Sequence, residues 1–170
     1  MNKVIKGRGF PVVESTGLFE AICQAVAAML ARIGVKVDLN AQPKAKYFAK
    51  VLAAAGYDTS FYLLGWTPGS FDSWNILDNL IQCRDEKGNG GAFNLGGYCN
   101  KKVDALADEI LVENDQAKRD ALIAEAFTIS NDEVSHIPLH QQALAWGVRD
   151  GVELAQRADN QFLFRFVTKK

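Results

Sequence analysis

The sequence predicts a mixed α/β fold, a sheet flanked by helices, and three observations carry that expectation. Apolar residues recur at three- and four-residue spacing in several segments and at two-residue spacing in others. The two patterns alternate along the chain, the order expected when helices cover a sheet. With 170 residues, 48% of them hydrophobic and 23% charged, the chain has the composition of one domain with a real core.

The first helix is expected over residues 20–33, where Ile22, Val26, Met29, Leu30 and Ile33 share a face and Gly34 follows as a left-handed stop. Val35, Val37 and Leu39 then alternate with Lys36 and Asp38, the period of a half-buried strand. Pro43 suits the first turn of a second helix with Tyr47, Phe48, Val51, Leu52 and Ala55 on one face, ended by Gly56. An aromatic and aliphatic stretch over 59–64 reads as another strand. Strand, helix and strand in so short a span make a βαβ unit, its strands parallel and its crossover right-handed.

Residues 73–81 place Trp74, Leu77, Leu80 and Ile81 at helical spacing, with Asp72 as N-cap. The stretch 82–100, with Gly88, Gly90, Gly91, Gly96 and Gly97, reads as a loop. Asn100 caps a further helix lined by Val103, Leu106, Ala107, Ile110 and Leu111. Asp115 caps the next, with Leu122, Ala126, Phe127 and Ile129 inward. These two are expected as an antiparallel hairpin against the sheet. From His136 strand-like composition returns, with Pro138 at an edge or bulge. Phe162, Phe164 and Phe166 alternate with Leu163, Arg165 and Val167, a strand that wants cover on both faces.

Composition also bounds function. Nineteen Lys and Arg balance twenty Asp and Glu, a net charge of -1, so nothing draws the chain to a phosphate backbone or an anionic lipid surface. The longest apolar run, residues 25–31, falls well short of the roughly 18 residues that span a bilayer. Residues 1–20 carry early basic charge without the apolar region of a secretory signal. Neither GxSxG nor HExxH occurs, and GNGG at 88–91 lacks the GK[ST] ending of a phosphate loop, so catalysis and a cofactor are not expected.

Binding is the better supported chemistry. In the stretch YLLGWTPGSFDSWN, two of the three tryptophans flank a Pro-Gly turn at the carboxyl end of an expected strand, where open α/β sheets receive ligands. Trp66 and Trp74 offer flat apolar faces, Thr67 and Ser70 offer hydroxyls, and Gly69 admits close backbone approach. Both rings also suit a core beneath the loop, Trp74 more so, being in register with Leu77 and Ile81. Asp72 suits a ligand ammonium or a helix cap. His136 and His140 share a face of an extended strand, as two nickel ligands would, or are surface residues. Cys83 and Cys99 bracket the glycine-rich loop. A bridge there would contribute about 3 kcal/mol and imply an oxidising compartment. Cys23, within the first helical pattern, reads as a small buried apolar group.

Several segments in order carry a resemblance: AICQAVAAMLARIGVKVDL, KYFAKVLAAAGYDTSFYLLGW, the loop closing on GGYCNKKVDAL, DQAKRDALIAEAF and SHIPLHQQ. Together they resemble the C-terminal part of the family 5 extracellular solute-binding proteins, the dipeptide, oligopeptide and nickel receptors of bacterial ABC importers. The resemblance spans roughly residues 20–170, while 1–19 match poorly. It implies one lobe of a type II periplasmic-binding-protein fold over 20–146, and a segment 147–170 that returns to an N-terminal lobe this chain lacks. The chain is then a fragment of a two-lobed receptor, periplasmic or extracellular, whose partners are a small solute and an ABC permease. The resemblance further implies that Trp66, Thr67, Pro68, Gly69, Ser70 and Phe71 face the solute, and that Cys83 and Cys99 are bridged as in some relatives. Many peptide-binding members carry an aspartate where this chain has Gly69. That departure brings sugars, opines and metal chelates alongside peptides as solutes. The rival expectations are a stand-alone interaction or dimerisation module and a nickel-binding protein.

Overall fold

The structure is a computed structural model that describes residues 10–13, 17–52, 56–57, 59, 61–85, 90–141, 143, 145–157 and 159–170. It is a mixed helix and sheet fold. A parallel pair joins β1 (Phe10–Val13) to β2 (Leu39–Gln42), with α1 (Gly17–Ala31) as the crossover between them. The order continues with α2 (Lys44–Val51), a short α3 (Trp74–Ile76) running into a π-helical turn (Leu77–Ile81), then α4 (Lys101–Val112) and α5 (Gln116–Asp132). An antiparallel pair of β3 (Val152–Leu154) and β4 (Val167–Lys169) ends the chain.

A βαβ unit is therefore present one strand earlier than the sequence predicts. Residues 35–38 carry no regular structure, and β2 begins at Leu39. The stretch expected as the second strand has no ladder among its described residues, and Ser60 lies outside them. Its side chains still alternate: Phe61 and Leu63 pack with Cys23 of α1, while Tyr62 packs with Tyr47 and Leu95. Alternation records two buried sides, and here it does so where the described residues form no ladder.

α1 ends as expected, with Gly34 at φ +79° and its N–H donated to Ala31 O. Its inward stripe is Phe19, Cys23, Val26 and Leu30, against Val37, Phe61 and Leu63. Met29 and Ile33, expected on that stripe, are exposed, Ile33 at 73%. Met29 lies one position before Leu30, about 100° around the helix from it, and Ile33 lies past Ala31, in the turn that ends α1. α2 follows Pro43 and buries Tyr47 and Val51; Ala55 of its expected face lies outside the described residues.

The main core joins three helical segments. Leu77 and Ile81 meet Val103, Leu106, Ala107 and Ile110 of α4 and Ala126 of α5. Both long helices start where the sequence places them. Asn100 Oδ1 accepts from the Lys102 and Val103 N–H groups, and Asp115 Oδ1 from Lys118 N–H. The hairpin they form buries its face on the 74–81 segment, so the backing expected from a sheet is supplied by a helix. Leu111, expected inward, is exposed. The tail also departs from expectation. Phe164–Phe166 is a 3₁₀ turn ahead of β4, and the described residues of 136–149 carry no strand; Gln142 and Leu144 lie outside the described residues.

Candidate ligand-binding loop

Residues 65–72 leave the extended stretch and cross to α3. Gly65 lies against the Phe19 ring of α1, where an added Cβ would come within 3.6 Å of it. Beyond it Thr67, Gly69, Ser70 and Phe71 are exposed, Phe71 at 79%, while Trp66 and Pro68 are half-buried. Trp66 is not sunk among the helices. Its indole N–H donates to Asn75 Oδ1 at 2.9 Å, and its ring packs on Phe93, centroids 5.0 Å apart and planes tilted by 58°.

The structure thus brings residues 66–71 together on one loop and sets Asp72 and Trp74 to other tasks. Asp72, expected as the N-cap, lies one residue ahead of the cap position that Ser73 occupies, and its Oδ1 accepts from Trp74 N–H at 2.9 Å. Both Asp72 oxygens also accept from the Arg119 guanidinium, at 3.0 and 2.7 Å. Partial burial opposes the charge on Asp72, but the Trp74 N–H and Arg119 outweigh it and hold the carboxyl below its ordinary value of 3.8. Arg119 Nε also donates to Ile110 O at the end of α4, so the pair ties the loop to the α4–α5 corner. The Trp74 indole N–H donates to Ala107 O of α4 at 2.9 Å, and its ring packs on the helical core.

Phe93 is the residue that sequence reasoning missed. It comes from the glycine-rich stretch, whose lack of regular pattern hides a tightly bonded loop. Asn94 is fully buried there. Its Nδ2 donates to Gln82 O at 2.8 Å and Tyr98 O at 2.6 Å, while its Oδ1 accepts from the Gly97 and Tyr98 N–H groups. Gly91 sits at φ +63°, where a Cβ would fall 2.4 Å from Gln82 O. Cys83 and Cys99 are bridged, closing the loop as expected. The neighbouring Tyr98 hydroxyl donates to Glu133 at 2.6 Å; burial first, and the Glu133 carboxylate next, push it up to about 12.

Among the described residues the one group of three candidate metal-ligand side chains is Cys83, Cys99 and Asp104. Its two sulfurs are joined to each other, which removes the thiolates a metal would need. His136 is half-buried, its Nδ1 3.3 Å from Ser135 Oγ, and His140 is exposed. Cys23 is buried, and burial raises its thiol.

No family model matches the sequence. An uncharacterized lipoprotein of Mycobacterium tuberculosis is 40% identical over 81 residues, and one of Mycobacterium bovis is 35% identical over the same length. Those residues are 47% of this chain and 14% of either relative. Among solved structures, the oligopeptide-binding protein of Thermus thermophilus, complexed with a pentapeptide, superposes with a TM-score of 0.71 at 22% identity. The match covers 92% of this chain and 29% of that one. Clavulanic acid biosynthesis oligopeptide binding protein 2 matches with a TM-score of 0.56 at 26% identity, over 68% of this chain and 22% of that one. HbpA2 of Haemophilus parasuis matches over 95% of this chain and 32% of that one, with a TM-score of 0.64 at 20% identity. The chain thus spans about a seventh of the curated relatives and under a third of the solved structures. The likeness shows that the chain shares the fold of these binding proteins.

Proposed function

We propose that the chain is the C-terminal lobe of a solute receptor that captures a small molecule, a peptide foremost, for an ABC permease in the membrane. It works outside the cytoplasmic membrane and performs no chemistry on its cargo. One observation carries the reading: a chain with the fold of oligopeptide-binding proteins presents an aromatic loop, residues 66–71, outward instead of folding it into its core. The bridge between Cys83 and Cys99 and the similarity to lipoproteins support the location. The pentapeptide on the Thermus thermophilus protein supports peptides ahead of the sugars, opines and metal chelates that the Gly69 departure admits.

Affinity comes from ring contacts, from the hydroxyls of Thr67 and Ser70, and from water expelled when a second lobe closes over the solute. A lone lobe supplies about half of those contacts, so binding by this chain is expected near the millimolar range. Calorimetry against a panel of peptides and oligosaccharides checks this, with Trp66→Ala expected to abolish the heat. A submicromolar affinity would contradict it.

A second reading rests on a different observation. Trp146 stacks on Phe162 with centroids 5.4 Å apart, Phe164 meets Phe162 edge-on, and Phe164 is 82% exposed. Such a patch suits a stand-alone interaction or dimerisation module. Sedimentation at several concentrations decides it, a concentration-independent monomer being the result against it.

A further inference from the structure

We propose that Asn75 and Phe93 are positioning residues for Trp66, and that they fit the loop for an uncharged, apolar or flat part of the solute. This rests on the reading of residues 66–71 as the solute site. An indole has one hydrogen-bond donor, and here Asn75 Oδ1 takes it at 2.9 Å. What Trp66 has left to offer a guest is the apolar and π surface of a half-buried ring whose tilt is set by Phe93.

Both partners are held by the same turn. Asn75 N–H donates to Asp72 O at 3.1 Å, and Asn75 O accepts from Asn79 Nδ2 at 2.8 Å. Phe93 N–H donates to Asn79 O at 2.9 Å, and Gly91 N–H to Asp78 O at 2.7 Å. One turn, residues 75–79, therefore fixes the acceptor for the indole and the ring against it. Asp72 is the single charged residue between Gly65 and Asn75. Both its oxygens are held by Arg119, and one by Trp74 N–H as well, so the loop presents no free carboxylate to a solute ammonium. Recognition here is by shape and ring contact, indifferent to whether the amino end of the solute is charged.

The three tryptophans give three indole N–H resonances, and that of Trp66 reports the geometry and the binding together. Its proton is expected to exchange slowly in the wild-type chain, about tenfold or more faster in Asn75→Leu, and slowly again in Asn75→Asp, which keeps an acceptor oxygen. Ala-Phe-Ala amide with a free and with an acetylated amino terminus should both shift this resonance, with dissociation constants within about twofold of each other. Asn75→Leu, and independently Phe93→Leu, should weaken both by about tenfold with the unfolding midpoint unchanged, a loss that a merely structural role does not produce. Unchanged indole exchange in Asn75→Leu overturns the positioning role. A free-amine peptide bound about tenfold tighter overturns the charge indifference and leaves the loop standing as the site. A Trp66 resonance that answers to neither peptide overturns the loop as a solute site and this inference with it.

Discussion

Asn94 is a polar residue at the centre of a loop that has no hydrophobic pattern to hold it, and its amide closes four backbone groups at once. Replacing it by Ala leaves buried carbonyls without donors and is expected to cost about 3 kcal/mol in urea unfolding. A loss under about 1 kcal/mol would mean that water replaces the side chain. Charge enters at Asp159. Arg157 first, and the Gln161 N–H in support, hold its carboxyl at about 2 against an ordinary 3.8. The folded value is the lower one, so the stabilisation is complete above 3.8 and drains away as pH falls toward about 2. Urea midpoints of the wild type and of Asp159→Asn should therefore converge across that window. Single residues with one local task are legible in the sequence. Asn100 and Asp115 as caps, Gly34 as a stop and Cys23 as buried follow from rules that act within a turn. Phe93 is not, because what places it is a set of bonds to Asn79 and Asp78 that no spacing announces.

Helices are more legible than strands, for a physical reason. A helix satisfies its backbone within its own segment, so its start and face follow from local residues. A strand depends on a partner elsewhere, and alternation reports only that both sides are covered. Residues 59–64 alternate, and their described residues carry no ladder, whereas β2 pairs with β1 from a region that the resemblance matches poorly. The same dependence makes the Cys83–Cys99 bridge consequential: it closes a stretch whose described residues form no helix or strand. Reduction, or the Cys83→Ser and Cys99→Ser double variant, is expected to cost about 3 kcal/mol and lower the unfolding midpoint by roughly 10 °C. An unchanged midpoint would mean that Asn94 and the Gly91 and Phe93 amides hold the loop unaided. At the start of α5, Asp115→Ala should cost about 1 kcal/mol by calorimetric melting.

Among the described residues the buried apolar side chains fall into three clusters, and the largest is made by α4, α5 and the 74–81 segment. The aromatic end of the chain joins none of them. Phe164 is 82% exposed, so Phe164→Ser is expected to leave stability within about 0.5 kcal/mol. On the proposed receptor reading, a second lobe would cover this exposed aromatic end. In the sequence these rings stand out by their alternation, although Phe164–Phe166 fold as a 3₁₀ turn and not as a strand. The outward loop is another exposed aromatic feature, Phe71 standing at 79%, and on it the receptor reading turns. The most direct test maps the backbone amide shifts of this chain under millimolar Ala-Phe-Ala amide. Shifts concentrated on residues 65–72 and Phe93 are the predicted result. Shifts gathered instead around Trp146, Phe162 and β3–β4, with the loop silent, would contradict it.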